Sequence, residues 1–383
     1  MAPIQSRRHW LKSTALLTGL AAIHNPFEAF TADRPAAVPP PPGASPWDFT
    51  KMKARLTSNE NPFGPSPEAQ QVMKEAIQDS WMYPKLGKDE FKKTLAEQWD
   101  VTEDHLILGA GSTEVLMAAA QHFGTPGKSL LAADLTYMSL IRRACTDYQA
   151  GLVTVPLTED YDYDFDQMLD KITADTSLIY ICNPNNPTGR ITDSDQLREF
   201  CRRASRRKPV FIDEAYIDYQ EDAAAHSMID LVQEGYPVII ARTFSKVHAM
   251  AGMRVGYGVA PPELITQLKK YGTDGNGMSR PAILGALATL KDAEFMDYSR
   301  RMNAQSKAQL YKTLEAKGYD YVPSDTNFVL FPIQMDGDRF VAEMMERGVG
   351  LKRVHYRDQH HCRVSIGTKE DMDIFAQAFE EIA

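Results

Sequence analysis

Between residues 100 and 260 short apolar runs alternate with amphipathic stretches. The runs at 105–108, 129–132, 152–155, 178–182, 210–213, 238–241 and 255–259 are apolar on both faces, as strands are when both sides of their sheet are covered. The stretches at 112–123, 138–148, 165–172 and 193–205 space their apolar residues as helices do. Strands of this kind alternating with helices predict an α/β layer, a mostly parallel seven-stranded sheet covered by helices. After residue 260 the rhythm changes. Helical patterns at 261–271 and 279–317 lead to a strand at 328–331, a helix at 339–347, strands at 349–353 and 363–365, and a closing helix from Lys369. That order predicts a smaller α+β C-terminal domain.

The first residues follow neither rhythm. Arg7 and Arg8 precede a weakly apolar run at 13–23, an arrangement that resembles a twin-arginine export signal. The run is too short for a mature bilayer span, which takes ~20 residues. Residues 35–46 read PAAVPPPPGASP, a semi-rigid spacer with nothing to bury. The expected organisation is a signal at 1–34, a Pro-rich linker at 35–46, an N-terminal arm or small-domain segment at 47–82, a large domain at 83–275 and a small C-terminal domain at 276–383. The expected location is the periplasm, with the cytoplasm as the alternative, and no stable membrane span is expected.

Composition narrows the chemistry. The chain has 383 residues, 43% hydrophobic and 24% charged, which fits a globular protein and not a disordered one. A net charge of -9 argues against nucleic acid as a partner. The cluster Arg202, Arg203, Arg206, Arg207 and Lys208 reads as a solvated helix end, where cations meet the negative pole of the dipole. The four cysteines form no C-x-x-C pair, and His360, His361 and Cys362 lack a second ligand pair at metal spacing; no metal is expected.

In an open α/β sheet ligands bind beyond the carboxyl ends of the strands. Those positions carry unusual polar residues. Gly109, Ala110, Gly111 and Ser112 open a helix, which can cradle an anion. A dinucleotide fingerprint fails at Glu114, and a P-loop ending in Gly127, Lys128 and Ser129 fails at His122. The turn NPNNPTG at 183–189 follows one strand, and Asp213, Glu214, Ala215 and Tyr216 follow another. Arg242, Thr243, Phe244, Ser245 and Lys246 follow a third, with Arg254 eight residues later. An anion cradle, a carboxylate for a ring nitrogen, a phenol and a lysine nucleophile are together what pyridoxal 5'-phosphate requires.

The ordered motifs GAGS, NPNNPTG, DEAY, TFSK and AGMRVGY resemble the fold-type I pyridoxal-phosphate aminotransferases, and within them the histidinol-phosphate aminotransferase branch. Asn59 with its neighbours 58–62, Tyr83-Pro84, Thr136-Tyr137 and RVSIG at 363–367 add to the likeness, which runs from about Leu56 to the C-terminus. The resemblance implies that Lys246 bonds the cofactor aldehyde and that Asp213 pairs with the ring nitrogen. Tyr216 and Asn186 would bond the ring hydroxyl oxygen, and Tyr137 would stack on the ring. Ala110, Gly111, Ser112, Ser245, Arg254 and Thr243 would hold the phosphate. Tyr83 would reach the other subunit's cofactor, which implies a homodimer with shared sites. Arg363 would bind a substrate carboxylate; Arg353 would either bind a substrate side-chain acid or phosphate or serve as a surface salt-bridge partner, and Asn59 would either close the substrate pocket or cap the entry turn. The implied reaction moves an amino group from a small-molecule amino donor to a 2-oxo acid such as 2-oxoglutarate. Histidinol phosphate is the reference donor; an aromatic or other amino acid, or a decarboxylase, lyase or racemase reaction on the same fold, remains open.

Overall fold

All seven apolar runs are strands of one sheet. The computed structural model describes residues 50–382. The expected signal, the linker and the first residues of the expected arm lie outside them. Along the chain come β1 (Ala54–Arg55), α1 (Pro67–Ala76), α2 (Lys85–Gln98), β2 (Leu106–Gly109), α3 (Ser112–Phe123), β3 (Ser129–Ala133), α4 (Ser139–Tyr148) and β4 (Gly151–Val155). Next are α5 (Phe165–Asp170), β5 (Thr176–Cys182), α6 (Ser194–Ser205), β6 (Val210–Asp213), α7 (Ala223–His226), α8 (Ile229–Gln233), β7 (Val238–Thr243) and β8 (Gly256–Val259). The remainder is α9 (Pro262–Leu268), α10 (Arg280–Leu290), α11 (Ala293–Ala316), β9 (Phe328–Pro332), α12 (Gly337–Glu346), β10 (Val349–Gly350), β11 (Lys352–Tyr356), β12 (Gln359–Ser365) and α13 (Lys369–Glu380).

The large sheet has the order β2-β8-β7-β6-β5-β3-β4. Only β8 runs against the rest. The reason is the connection before it. The other parallel neighbours are joined by crossovers containing helices, but β7 reaches β8 through the segment 244–255, which turns straight back at the strand end. A short return of this kind can only build an antiparallel pair. It also leaves Lys246 and Arg254 beyond the carboxyl end of β7, beside the end of β6. Both faces are buried in the middle of the sheet: Ile179, Ile181, Ile212 and Ile240 pack on one side, Tyr180, Cys182, Phe211 and Ala241 on the other; the edge strand β4 departs from this, with Gly151, Leu152 and Thr154 exposed and only Val155 buried.

The C-terminal layer is built on the antiparallel strands β11-β12-β9, with Phe331, Phe340, Phe375 and Phe379 in its core. Three details depart from the sequence reading. The helical pattern at 279–317 is two helices, because the Asp292 side chain accepts from the Phe295 N–H and starts α11 afresh. The strand expected at 349–353 is also two: β10 pairs with β1, while β11 pairs with β12. Finally, β11 and β12 form a hairpin through Arg357 and Asp358, both at positive φ, 52° and 56°. That turn usually uses Asn or Gly, so it left no signal in the sequence.

Packing does not divide at 275/276, where the sequence suggests a domain boundary. Ala282, Ile283, Ala286 and Leu287 of α10 belong to the core beneath the large sheet, and α10 lies on α1 and α2. In the other direction β1 joins the C-terminal layer, Ala54 pairing with Val349. The residues around Asn59 are thereby fixed between the two layers. Among the described residues no helix is long and apolar enough to cross a membrane.

Candidate active site

A cavity of about 510 Å³ opens at the carboxyl ends of the large sheet's strands. Asn59, Ser112, Tyr137, Asn186, Asp213, Tyr216, Thr243, Ser245, Lys246, Arg254 and Arg363 all line it. Sequence positions more than 300 residues apart thus meet at one place.

Asp213 ends β6 and is 2% exposed. Burial pushes its carboxyl up to about 6, against the pull of its hydrogen bonds and of Lys246. Its oxygens accept from the Ala215 N–H at 3.2 Å and the Tyr180 hydroxyl at 3.3 Å. Lys246 Nζ donates to the Asn59 carbonyl at 3.0 Å and the Ser58 carbonyl at 3.3 Å. It lies 5.2 Å from the centre of the Tyr216 ring. Burial first, and then the Arg363 charge, push the lysine down to about 7. A neutral amine and an ionised carboxylate therefore coexist at neutral pH, the protonation states that imine chemistry requires.

A chain of hydrogen bonds fixes the wall facing them. Asn59 Nδ2 and Asn186 Nδ2 donate to the Tyr216 hydroxyl at 3.0 and 3.2 Å. Arg363 Nη1 donates to Asn186 Oδ1 at 2.8 Å, and Nη2 to the Thr57 carbonyl at 2.6 Å. Arg363 is 5% exposed, and its Nε has no partner among the described residues. Asn59 takes a positive φ of 54°, which asparagine tolerates, and its Oδ1 accepts from Ser365.

The opposite end is an anion cradle. Gly111, at φ 78°, precedes the first turn of α3. Arg254 Nη1 reaches Ser245 Oγ at 3.2 Å, and Thr243 Oγ1 lies 2.9 Å from the same hydroxyl. A Cβ on Gly111 would overlap the Arg254 guanidinium, and one on Gly256 would overlap the Ser112 N–H. Both glycines are needed for the close approach. Helix N–H groups, hydroxyls and a guanidinium form a site for a phosphate. Ala110 differs from expectation. Its N–H is taken by Glu114 Oε2 at 2.7 Å, and its carbonyl faces Arg254.

Two expected residues stand apart from the cavity. Arg353 pairs with Asp338 at 2.7 Å on the surface, its side chain 41% exposed. Along β11 alternate residues face opposite ways, and the residue directly across from Arg363 is Lys352. Lys352 lines the cavity, and burial together with Arg363 lowers its pKa. The cross-strand register that identifies it is a tertiary fact. Tyr83 is 93% exposed and lines a separate surface hollow together with Trp81, Pro84, Asn276, Met278 and Arg280 among others. His360, His361 and Cys362 gather no metal-binding group; among the described residues no three His, Cys, Asp or Glu side chains come together in that way.

Sequence reading also passes over a buried clamp behind the cavity. Arg242 Nε donates to Glu214 at 2.9 Å and Nη1 to Asp218 at 2.8 Å, and the guanidinium lies 4.6 Å from the Trp99 ring. Glu214 also accepts from Ser227 and the Met228 N–H. Removing one partner of such a pair costs about 3–5 kcal/mol, because the other charge stays buried. The clamp ties the loop after β6 to the end of β7, which fixes Asp213 relative to Lys246.

The lowered pKa has a direct readout. A depressed lysine is protonated below about pH 7 and becomes nucleophilic as pH rises through that value. In reductive methylation with formaldehyde, read residue by residue by mass spectrometry, Lys246 should reach its half-maximal rate near pH 7. Exposed Lys85, whose pKa is raised by Asp89, should still be accelerating well above pH 10. Parallel profiles for the two lysines would contradict the electrostatics described.

Comparison with known proteins agrees with this geometry. Residues 51–379 match the family Aminotransferase class I and II. The chain is 36% identical over 330 residues to a histidinol-phosphate aminotransferase of Moorella thermoacetica, covering 86% of this chain and 85% of that one. It is 32% identical to histidinol-phosphate aminotransferase 2 of Nitrosospira multiformis, covering 85% and 82%. Its fold is shared with the crystal structure of Sinorhizobium meliloti histidinol-phosphate aminotransferase in complex with pyridoxal-5'-phosphate, at a TM-score of 0.79 and 22% identity over 95% of this chain and all of that one. The chain that builds this cavity, with its lysine and its carboxylate, belongs to the class I and II aminotransferases.

Proposed function

We propose that this enzyme uses pyridoxal 5'-phosphate to move an amino group from an anionic amino donor to a 2-oxo acid, 2-oxoglutarate being the expected acceptor. The observation that carries the reading is Lys246 and Asp213 in one cavity, with the Gly111, Ser112, Ser245 and Arg254 cradle at its end. The residues fit the cofactor: Gly111 and Gly256 let the Arg254 guanidinium and the Ser112 N–H close up where a Cβ would collide with them, and the cradle's donors suit a phosphate.

When bound, the cofactor supplies a cationic ring that accepts the electron pair left by a departing Cα proton. Asp213 would hold a proton on the ring nitrogen, Tyr216 and Asn186 would bond the ring hydroxyl oxygen, and Tyr137 would pack against the ring. Lys246 Nζ, neutral from about pH 7 upward, is the base that takes the donor's Cα proton. The Arg363 fork would bind the carboxylate of the 2-oxo acid or of an amino-acid donor, bidentate as a lysine cannot be. Asn59 shapes the wall beside it.

The Lys352 side chain, in the cavity wall across from Arg363, favours a donor whose far end is anionic, such as the phosphate of histidinol phosphate or the side-chain carboxylate of glutamate, over one that ends in an uncharged ring. The relatives' names make histidinol phosphate the first donor to test. A panel of amino donors, followed by the change in cofactor absorbance without any acceptor, should rank histidinol phosphate and glutamate above phenylalanine. Lys246→Ala should slow that half-reaction by about 10²–10⁴-fold or more. Unchanged turnover in Lys246→Ala would refute the mechanism, and phenylalanine at the head of the panel would refute the substrate class.

We extend the reading to a homodimer. Ile77, Trp81, Tyr83 and Leu86 are 62%, 81%, 93% and 79% exposed, an apolar stretch that a lone subunit would leave in water. Sedimentation at micromolar concentration should give a dimer, and Trp81→Glu a monomer. A monomeric parent protein would contradict this. The paired arginines support export. With Arg7 and Arg8 both changed to Lys, the protein should stay in the cytoplasmic fraction, and a parent chain found there equally would remove the proposal.

A further inference from the structure

Tyr180 lies one layer behind the cavity and lines no part of it. It is wholly buried, on the same face of β5 as Cys182, and β5 pairs with β6 so that Cys182 stands beside Asp213. Its ring is stacked on Phe211, 5.9 Å between centres. This packing aims the hydroxyl at Asp213 Oδ2, 3.3 Å away. Among the described residues the other Asp213 oxygen has only the Ala215 N–H. A buried carboxylate needs donors to stay ionised, and among the described residues this one has two.

Resting on the cofactor reading above, we infer that Tyr180 is a positioning residue that keeps Asp213 in its carboxylate form, so that the proton it shares with a bound ring nitrogen stays on the ring. The phenol is suited to this. Burial and the neighbouring Asp213 charge keep it from ionising, so it donates at every working pH. The other titratable groups facing Asp213 are Lys246, Glu214, Cys182, Tyr137 and Tyr216. Of these side chains none donates a hydrogen bond to its oxygens. Losing the Tyr180 hydroxyl leaves a more basic carboxylate, which draws the shared proton away from the ring.

The test uses the full chain and pyridoxine 5'-phosphate labelled with ¹⁵N in the ring, which has no aldehyde and so keeps Lys246 chemistry out of the readout. In the parent protein the ¹⁵N signal at pH 7 should lie at the position of a protonated ring. Tyr180→Phe, which removes one oxygen and leaves the packing, should move it measurably toward the neutral-ring position. Tyr163→Phe removes another buried hydroxyl, one that bonds the Cys182 backbone instead, and should leave the signal in place. Should Tyr180→Phe not fold, 2,3-difluorotyrosine at position 180 keeps the side chain and makes it a stronger donor; the signal should then stay at or move toward the protonated limit. An unmoved signal in Tyr180→Phe, an equal movement in Tyr163→Phe, or a move toward the neutral ring with the fluorinated residue overturns the inference. A parent protein that does not bind the probe, or binds it with a neutral ring, overturns the cofactor reading itself, so the two failures are distinct.

Discussion

The structure depends on one electrostatic arrangement: a carboxylate at the end of β6 and a lysine just past the end of β7, both withdrawn from water and close enough to influence each other. Burial alone would neutralise both, raising the acid and lowering the base. At Asp213 it reaches about 6, leaving the acid ionised at pH 7, and at Lys246 about 7, leaving a large share of the amine neutral. The surrounding protein holds that balance. The Arg242 clamp fixes the two loops, Arg363 adds positive potential beside the lysine, and Tyr180 and Ala215 donate to the acid.

The topology serves the same end. Parallel strands β6 and β7 place their carboxyl ends side by side, Asp213 in register with Ala241. The chain then returns without a crossover, which makes β8 antiparallel and holds Lys246, Ser245 and Arg254 in one turn of loop. That single return gives the cavity its base and the arginine of its phosphate cradle. The N-terminal residues close the far side, because β1 is anchored in the C-terminal layer beside Arg363.

Much of this was legible along the chain. Doubly apolar strands and amphipathic helices announce themselves by period, and polar residues just after apolar runs mark a binding edge. The motifs then identify Lys246, Asp213, Asn186, Tyr216, Arg254 and Arg363, and all of them line the cavity. What stayed hidden depends on register and tertiary contact. Which of Lys352 and Arg353 faces the cavity is decided by pairing with Arg363. Likewise Glu114 capturing the Ala110 N–H needs a folded helix start, and Tyr180 reads as one more apolar strand residue until β5 and β6 are laid together. The positive-φ turn at Arg357 and Asp358, with neither Gly nor Asn, gave no local cue at all.

In the proposed reading Lys246 is the lysine of this chain that bonds a carbonyl. The most direct test loads the purified protein with pyridoxal 5'-phosphate, fixes the bond with borohydride and maps the phosphopyridoxyl group by peptide mass spectrometry. The group should appear on the peptide containing Lys246, at one per chain. Modification spread over surface lysines, with Lys246 unmodified, would contradict it.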